Sequence, residues 1–199
     1  MRKAPKPASR YKMKIDYIIM AHESRGQYAM DLMYKLTEQK VRPRMVMDGR
    51  GLGVWENAKM AWSIPPREGD YRVVIQDDAI LCDNFIQKAE AFIQHHAGHV
   101  ISFYYGDNPQ AHKEIKPDYF DTILNHAVCL AIPTAEIPGM IQYCDFQPEC
   151  TGDDMKIRRW LITNSRTCRY SNPSLVQHRD IPSIVDPTKP IRQSAIFAG

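Results

Sequence analysis

Two adjacent carboxylates, Asp77 and Asp78, follow the apolar segment 71–75 (YRVVI) after a single residue, Gln76. This segment predicts a buried strand, so the acids lie at its carboxyl end, where open α/β sheets bind ligands. Because neighbouring carboxylates repel each other, the pair favours a hard divalent cation, Mg²⁺ or Mn²⁺, that also meets substrate phosphates. Acidic pairs are common in solvated turns, and for this pair taken alone that interpretation is favoured over a metal site.

A second acidic pair, Asp153 and Asp154, follows Gly152 at the start of a predicted helix over residues 152–162. Either carboxylate can cap the helix or complement its dipole. Near a cleft, the same carboxylate can act as general base on an acceptor hydroxyl.

His178 is the third residue of interest, because imidazole is a common metal ligand. A lone histidine is usually a surface or core residue, and it becomes a metal ligand only where other ligands converge on it. Three other histidines, His95, His96 and His99, cluster at the end of the predicted helix over residues 85–96, where we expect a structural role.

The elements that must position these residues alternate along the chain, which predicts an α/β fold with a mainly parallel central sheet flanked by helices. Apolar runs predict strands at 16–21, 44–47, 71–75, 100–105 and 127–132. Helical spacing predicts helices at 24–39, 54–63, 85–96 and 152–162. We expect a flexible basic arm at 1–14, one domain at 15–185 and an extended tail at 186–199.

The composition is that of an ordinary globular domain: 199 residues, 44% hydrophobic and 25% charged. No apolar run reaches the ~18 residues needed to cross a bilayer, so no membrane partner is expected. The five cysteines include no CxxC pair, which favours reduced thiols and a cytoplasmic location, in the host cytoplasm if the protein is viral. The net charge of +3 identifies no partner by itself.

Taken in order, the three clusters resemble the motifs of GT-A glycosyltransferases, particularly small phage-type enzymes. Residues 76–79 (QDDA) after their strand are similar to the DxD-type acidic motif, and residues 152–154 (GDD) to the later acidic motif of inverting members. Residues 172–178 (NPSLVQH) resemble a Pro-Ser-Leu-x-Gln-His segment whose histidine closes the metal site. The resemblance covers residues 16–185.

This resemblance implies a single GT-A-like domain with a Rossmann-like nucleotide-binding half and an acceptor-binding half. It implies a nucleotide-sugar donor of the UDP-sugar type, and Mn²⁺ or Mg²⁺ held by Asp78 and His178. Asp154, together with Asp153, would be the catalytic base, and Asp77 would meet ribose or a bound water. Gln76 stands where the family usually carries an acid, which leaves metal binding to Asp78.

Further donor contacts are implied at the end of the first strand, the end of the second strand, the following helix and the residue after His178. These positions are Ala21, His22, Glu23, Asp48, Asn57, Lys59 and Arg179.

The acceptor is the most open question. The basic arm and the arginine-rich segment 158–179 suit a polyanion, and we interpret the acceptor as phage DNA with hydroxymethylated bases. Lipopolysaccharide or another saccharide is the alternative acceptor. A nucleotidyltransferase would need a glycine-rich loop, whereas residues 21–26 contain one glycine. A non-enzymatic nucleic-acid-binding module would leave both acidic pairs unexplained, because acids facing phosphates reduce affinity.

Overall fold

The computed structural model describes residues 12–65, 69–106, 116–150, 152–184, 188 and 192–199. These residues form a mixed α/β domain built on a seven-stranded sheet. The helices are α1 (Gly26–Glu38), α2 (Val54–Ser63), α3 (Phe85–His95), α4 (Ile137–Asp145) and α5 (Asp153–Thr163). The strands are β1 (Ile15–His22), β2 (Arg44–Asp48), β3 (Tyr71–Gln76), β4 (Ala79–Leu81), β5 (Ile101–Ser102), β6 (Tyr119–Thr122), β7 (Cys129–Pro133), β8 (Cys168–Ser171) and β9 (Val176–His178).

The strands of the central sheet lie in the order β2-β1-β3-β7-β5-β8-β6. Strand β1 pairs in parallel with β2 and β3, as the alternating pattern predicted. Beyond β3 the sheet is mixed, because β7 runs antiparallel to both of its neighbours and β8 is parallel to β5 but antiparallel to β6. The expected mainly parallel sheet is therefore realised in the first half of the chain.

Both faces of the sheet are covered by helices. Helices α1 and α3 pack on one face, against alternate residues of the central strands such as Ile19 and Ile75. Helices α2, α4 and α5 pack on the other face, against Ile18 and Val74. Strands buried on both faces need continuous apolar runs, which explains why β1 and β3 are readable in the sequence.

The sequence predicted the long elements and missed several short ones. Helices α1, α2, α3 and α5 lie within one or two residues of their predicted bounds. The strand predicted at 100–105 contracts to β5, because the Ser102 hydroxyl donates to the Tyr104 carbonyl and bends the chain. Helix α4 was missed because Pro138 and Gly139 occupy its first turn, where proline is tolerated.

The last residues of the predicted tail pack on the domain, whereas most of the predicted arm lies outside the described residues. Residues 1–11 of the predicted arm lie outside the described residues. Of the predicted tail, residues 192–199 pack on the domain: the Ala198 amide donates to the Ser174 carbonyl at 2.9 Å, and the Ser194 hydroxyl lies 2.9 Å from that of Ser174.

All five cysteines are buried free thiols. Within the described residues, every helix is too short or too polar to span a bilayer.

A buried ion pair links β3 to β1 and allows a stability test. The Arg72 guanidinium is 2% exposed and donates to Asp16 Oδ2 from Nε at 3.2 Å and from Nη2 at 3.1 Å. Because Asp16→Ala leaves this cation buried without its carboxylate, we expect a loss of about 3–5 kcal/mol in the free energy of unfolding, measured by urea denaturation. Glu149→Ala, which breaks the exposed pair with Arg159, should cost no more than about 1 kcal/mol. Equal losses in the two variants would contradict this account.

Candidate active site

A cavity of about 560 Å³ opens at the carboxyl ends of β1, β2 and β3. These three strands are parallel neighbours, so their ends meet at one edge of the sheet. Most of the sequence-predicted site residues line this cavity: Ala21, His22, Asp48, Asn57, Asp77, Asp78, Asp153, Asp154 and His178. The structure therefore brings all three motifs to one place.

Three predicted donor contacts lie elsewhere. Glu23 is exposed in the short 3-10 turn after β1. Lys59 Nζ lies 2.7 Å from Asp145 Oδ2 at the end of α4. The Arg179 guanidinium stacks 4.6 Å from the centre of the Tyr28 ring and approaches Asp31. The geometry does not bring these three side chains to the cavity wall.

The acid pair after β3 is buried and forms ion pairs with the guanidinium group of Arg25. Asp77 and Asp78 are 5% and 6% exposed. Arg25 Nη1 lies 2.6 Å from Asp78 Oδ2 and 3.3 Å from Asp77 Oδ1, while Arg25 Nη2 donates to the Pro182 carbonyl. The His22 amide donates to Asp77 Oδ2 at 2.8 Å. Burial raises the pKa of Asp77, and the nearby charge of Asp78 acts in the same direction.

His178 is held beside Asp78 by the small antiparallel sheet of β4 and β9. This sheet pairs Ala79 with His178, and the Arg179 amide donates to the Asp78 carbonyl at 2.8 Å. His178 Nε2 then lies 3.2 Å from Asp78 Oδ2. Burial opposes the charged forms of both groups, but their mutual hydrogen bond and charges prevail, so the pKa of Asp78 is lowered and that of His178 is raised.

The residues Asp78 and His178 fit a metal ion. Asp78 Oδ1 is buried without a hydrogen-bond partner among the described residues. His178 Nδ1 lies 2.6 Å from the Arg179 carbonyl, which can only accept, so Nδ1 carries a proton and Nε2 is the ligating nitrogen. A separation of 3.2 Å between this nitrogen and the carboxylate oxygen suits two neighbouring ligands, each about 2.1 Å from one ion.

A second cluster, His95, His96 and Asp118, brings three potential ligand atoms within 4.8 Å of one another. The hydrogen bonds of His96 place the ring proton on the other nitrogen than in His178. His96 Nδ1 lies 3.2 Å from Arg169 Nη1, and because a guanidinium can only donate, Nδ1 accepts and the proton lies on Nε2, the atom that faces Asp118. This arrangement favours the structural role that the sequence predicted for His95 and His96.

The second acidic pair also lines the cavity, at the start of α5. Asp153 is buried, accepts from the Asp154 amide at 2.9 Å and accepts from Gln76 Nε2 at 3.3 Å. Burial, followed by the charge of Asp154, raises the pKa of Asp153 to about 7. Asp154 is less buried, and its Oδ1 accepts from the Met155 amide. The sequence identified both acids but did not predict that Gln76 connects β3 to Asp153.

Asp48, which ends β2, and Asn57 of α2 form a further part of the cavity wall. Asp48 Oδ1 accepts from the amides of Arg50 at 3.0 Å and Leu52 at 3.1 Å, which folds the loop at 49–53. These backbone hydrogen bonds, that of Leu52 foremost, lower the pKa of Asp48. Asn57 donates to the Ala21 carbonyl at 3.0 Å, and its buried Oδ1 has no hydrogen-bond partner among the described residues. Both side chains therefore present acceptor oxygens at the cavity.

Four further residues that line the cavity were not predicted as site residues: Tyr104, Asn125, His126 and Arg192. Arg192 Nη1 lies 2.8 Å from His126 Nε2, and the Tyr104 hydroxyl donates to the Arg192 carbonyl. Arg192 lies in the predicted tail, so composition alone did not indicate that this residue reaches the site.

Comparison with known proteins finds a similar fold and gives no information about activity. No protein-family model matches the chain, and no curated protein matches it. Among solved structures, the crystal structure of A197 from STIV is similar, with a TM-score of 0.56 and 14% sequence identity. The likeness covers 92% of this chain and 97% of that chain. At this identity it shows a shared fold, while activity has to be argued from the site.

Proposed function

We propose that this protein is a metal-dependent glycosyltransferase with a GT-A-like domain that uses a nucleotide-sugar donor, a UDP-sugar. The observation that supports it best is the convergence of three motifs, distant in sequence, on one cavity: Asp77 and Asp78, the pair Asp153 and Asp154, and His178. A non-enzymatic nucleic-acid-binding module gives no reason for five carboxylates to line one cavity.

The donor diphosphate is proposed to lie between Asp78 and His178 on one side and the loop after β2 on the other. Asp78 and His178 would hold Mn²⁺ or Mg²⁺, which when bound neutralises the charge that develops on the leaving diphosphate. Asp48 and Asn57 offer acceptors for N–H and O–H groups of the nucleoside. Asp77, fixed by the His22 amide, keeps the end of β1 against the end of β3.

Asp153 is the better candidate for the base of the two acids at the start of α5. A general base is most effective when its pKa lies near the working pH, and burial brings the pKa of Asp153 to about 7. Gln76 donates to Asp153 Oδ2 and acts as a positioning residue. In the proposed reaction the acceptor hydroxyl gives its proton to Asp153 and attacks the anomeric carbon opposite the leaving diphosphate, with inversion.

The acceptor is proposed to present a hydroxyl group beside Asp153, either on a hydroxymethylated base in DNA or on a saccharide. The late arginines that suggested DNA are largely paired with acids: Arg159 with Glu149, Arg166 with Glu136 and Arg169 with Asp121. This pairing lowers the positive charge that this segment can offer to a polyanion. The saccharide alternative gains support from it, and assays should include both acceptors.

A thermal-shift screen with UDP-sugars, with and without Mn²⁺, tests the donor site. A ligand that binds the native state at about a hundred times its Kd adds about 2.7 kcal/mol to stability. For a chain of this size we expect the melting temperature to rise by several degrees, roughly 4–10 °C, with one UDP-sugar in the presence of Mn²⁺. Asp78→Asn should lose the Mn²⁺-dependent part of the shift. If no nucleotide or nucleotide sugar stabilises the wild-type protein in either condition, the proposal is wrong.

A further inference from the structure

Arg25 occupies the position of a cation between the two acids that follow β3. It is 9% exposed, and its Nη1 atom contacts both Asp77 and Asp78. The arginine follows β1, whereas the acids follow β3, and the parallel pairing of these strands places the three side chains together. The pair of carboxylates is therefore partly neutralised by the protein itself.

This contact competes with the metal site inferred from Asp78 and His178. Asp78 Oδ2 is shared by Arg25 Nη1 at 2.6 Å and His178 Nε2 at 3.2 Å. A divalent ion bound to the same oxygen and the same nitrogen would lie within a few ångströms of the guanidinium, where like charges at low dielectric repel strongly. An ion bound to Asp78 Oδ2 and His178 Nε2 would therefore displace Arg25 from Asp78 Oδ2.

We propose that Arg25 is a built-in competitor of the metal: it holds the acid pair in the metal-free protein and releases Asp78 when the metal binds. This inference rests on the proposed function. The released guanidinium stays in the donor cavity, whose lining already includes Arg25. A planar guanidinium pairs well with phosphate oxygens, so the donor diphosphate is its new partner.

The contact between Arg25 and Pro182 extends this exchange to the cavity rim. Arg25 Nη2 donates to the Pro182 carbonyl at 2.5 Å, and the neighbouring residues Ile181, Ser183 and Ile184 line the cavity. When Arg25 turns from Asp78 to the diphosphate, this hydrogen bond must lengthen or be remade. The position of the segment 181–184 should therefore depend on whether Arg25 or the metal ion is bound to Asp78.

The test measures two affinities that should change in opposite directions. In Arg25→Met without nucleotide, Mn²⁺ binding measured by electron paramagnetic resonance should become about tenfold tighter, the order of one charge-assisted hydrogen bond. At saturating Mn²⁺, UDP binding by calorimetry should become about tenfold weaker, because the phosphate has lost a cation. Arg42→Met, which removes an exposed arginine that precedes β2 and lies outside the cavity lining, should leave both affinities near wild type.

A purely structural role for Arg25 would weaken both affinities together, and unchanged or weaker Mn²⁺ binding in Arg25→Met overturns the proposal. Circular dichroism establishes that the variant is folded. If it is not, Arg25→Lys is the second variant: its single-point contact holds the acids less firmly, so Mn²⁺ binding should still tighten. If wild-type protein binds Mn²⁺ but no UDP or UDP-sugar, the proposed function is wrong, while the Mn²⁺ comparison still decides the role of Arg25.

Discussion

Asp78→Asn should reduce Mn²⁺-stimulated release of UDP from a UDP-sugar by at least about 10²–10³-fold, the loss typical of removing one electrostatic stabiliser of a transition state. The substitution preserves the size of the side chain and removes the charge that Arg25 and His178 share. An amide oxygen is also a much weaker ligand for a hard cation than a carboxylate. UDP release with and without Mn²⁺ is the measurement.

The matched control for Asp78→Asn is Asp31→Asn, which changes a half-exposed carboxylate on α1 that faces Arg179 rather than the cavity. Its turnover should stay within a factor of two or so of wild type, because surface pairs contribute little. Since Asp78→Asn also leaves Arg25 buried beside one carboxylate only, the variant should be less stable, and turnover should be corrected for the folded fraction. Mn²⁺-stimulated turnover near the wild-type rate would rule out Asp78 as a metal ligand.

The sequence predicted the centre of the fold better than its edges, for a physical reason. Strands β1 and β3 are buried on both faces, so most of their residues must be apolar, and the buried charges of Asp16 and Arg72 pair with each other. Strands β4 and β9 have three residues each, too few for a period of two to be recognised. They form because they pair with each other, which depends on the tertiary fold.

The acids of the site were predictable because each follows a recognisable element: Asp77 and Asp78 end a strand, and Asp153 and Asp154 begin a helix. The convergence of His178 on Asp78 came only from the resemblance, since β9 has no independent signal. Arg25 was missed for a different reason. Its role depends on β1 lying directly beside β3, and sequence order alone does not determine which strands are neighbours.

Gln76 stands where the resemblance expects an acid. In the structure its side-chain amide donates to Asp153 Oδ2 at 3.3 Å, a contact that the sequence did not predict. An acid at position 76 would place a carboxylate at the same distance from Asp153, and two such groups share one proton rather than both ionising. The amide therefore allows Asp153 to be deprotonated near neutral pH, which a base must be.

Asp153→Asn should lower the turnover number by about 10²–10⁴-fold, the contribution typical of a general base, with donor affinity nearly unchanged. The affected step is proton transfer from the acceptor, and the donor is held by other residues. Because burial raises the pKa of Asp153 to about 7, wild-type turnover should increase as the pH rises through 7 and then level off. Product formation with each candidate acceptor, measured between pH 5.5 and 8.5 as a range of about 1.5 around that pKa, is the assay.

Stability provides a second, activity-independent signature of the same Asp153→Asn variant. The folded protein holds the Asp153 proton up to a higher pH than the unfolded chain does, so wild-type stability falls as the pH rises from about 4 to about 7. Asparagine cannot ionise, so the variant escapes this loss. Allowing about 1 kcal/mol for a hydrogen bond that the amide cannot keep, it should be more stable than wild type by roughly 2–3 kcal/mol at pH 8 and no more stable at pH 4.

The neighbouring variant Asp154→Asn separates the two acids of this pair. Removing the Asp154 charge makes Asp153 easier to ionise, so the rise in turnover should move to lower pH while the maximal rate stays within about tenfold of wild type. The reverse pattern, with turnover lost in Asp154→Asn and kept in Asp153→Asn, would make Asp154 the base and leave Asp153 as a buried group that tunes it. Loss of turnover in both variants, without the predicted gain in stability for Asp153→Asn, would show that the two carboxylates act as one unit, because neither then titrates independently.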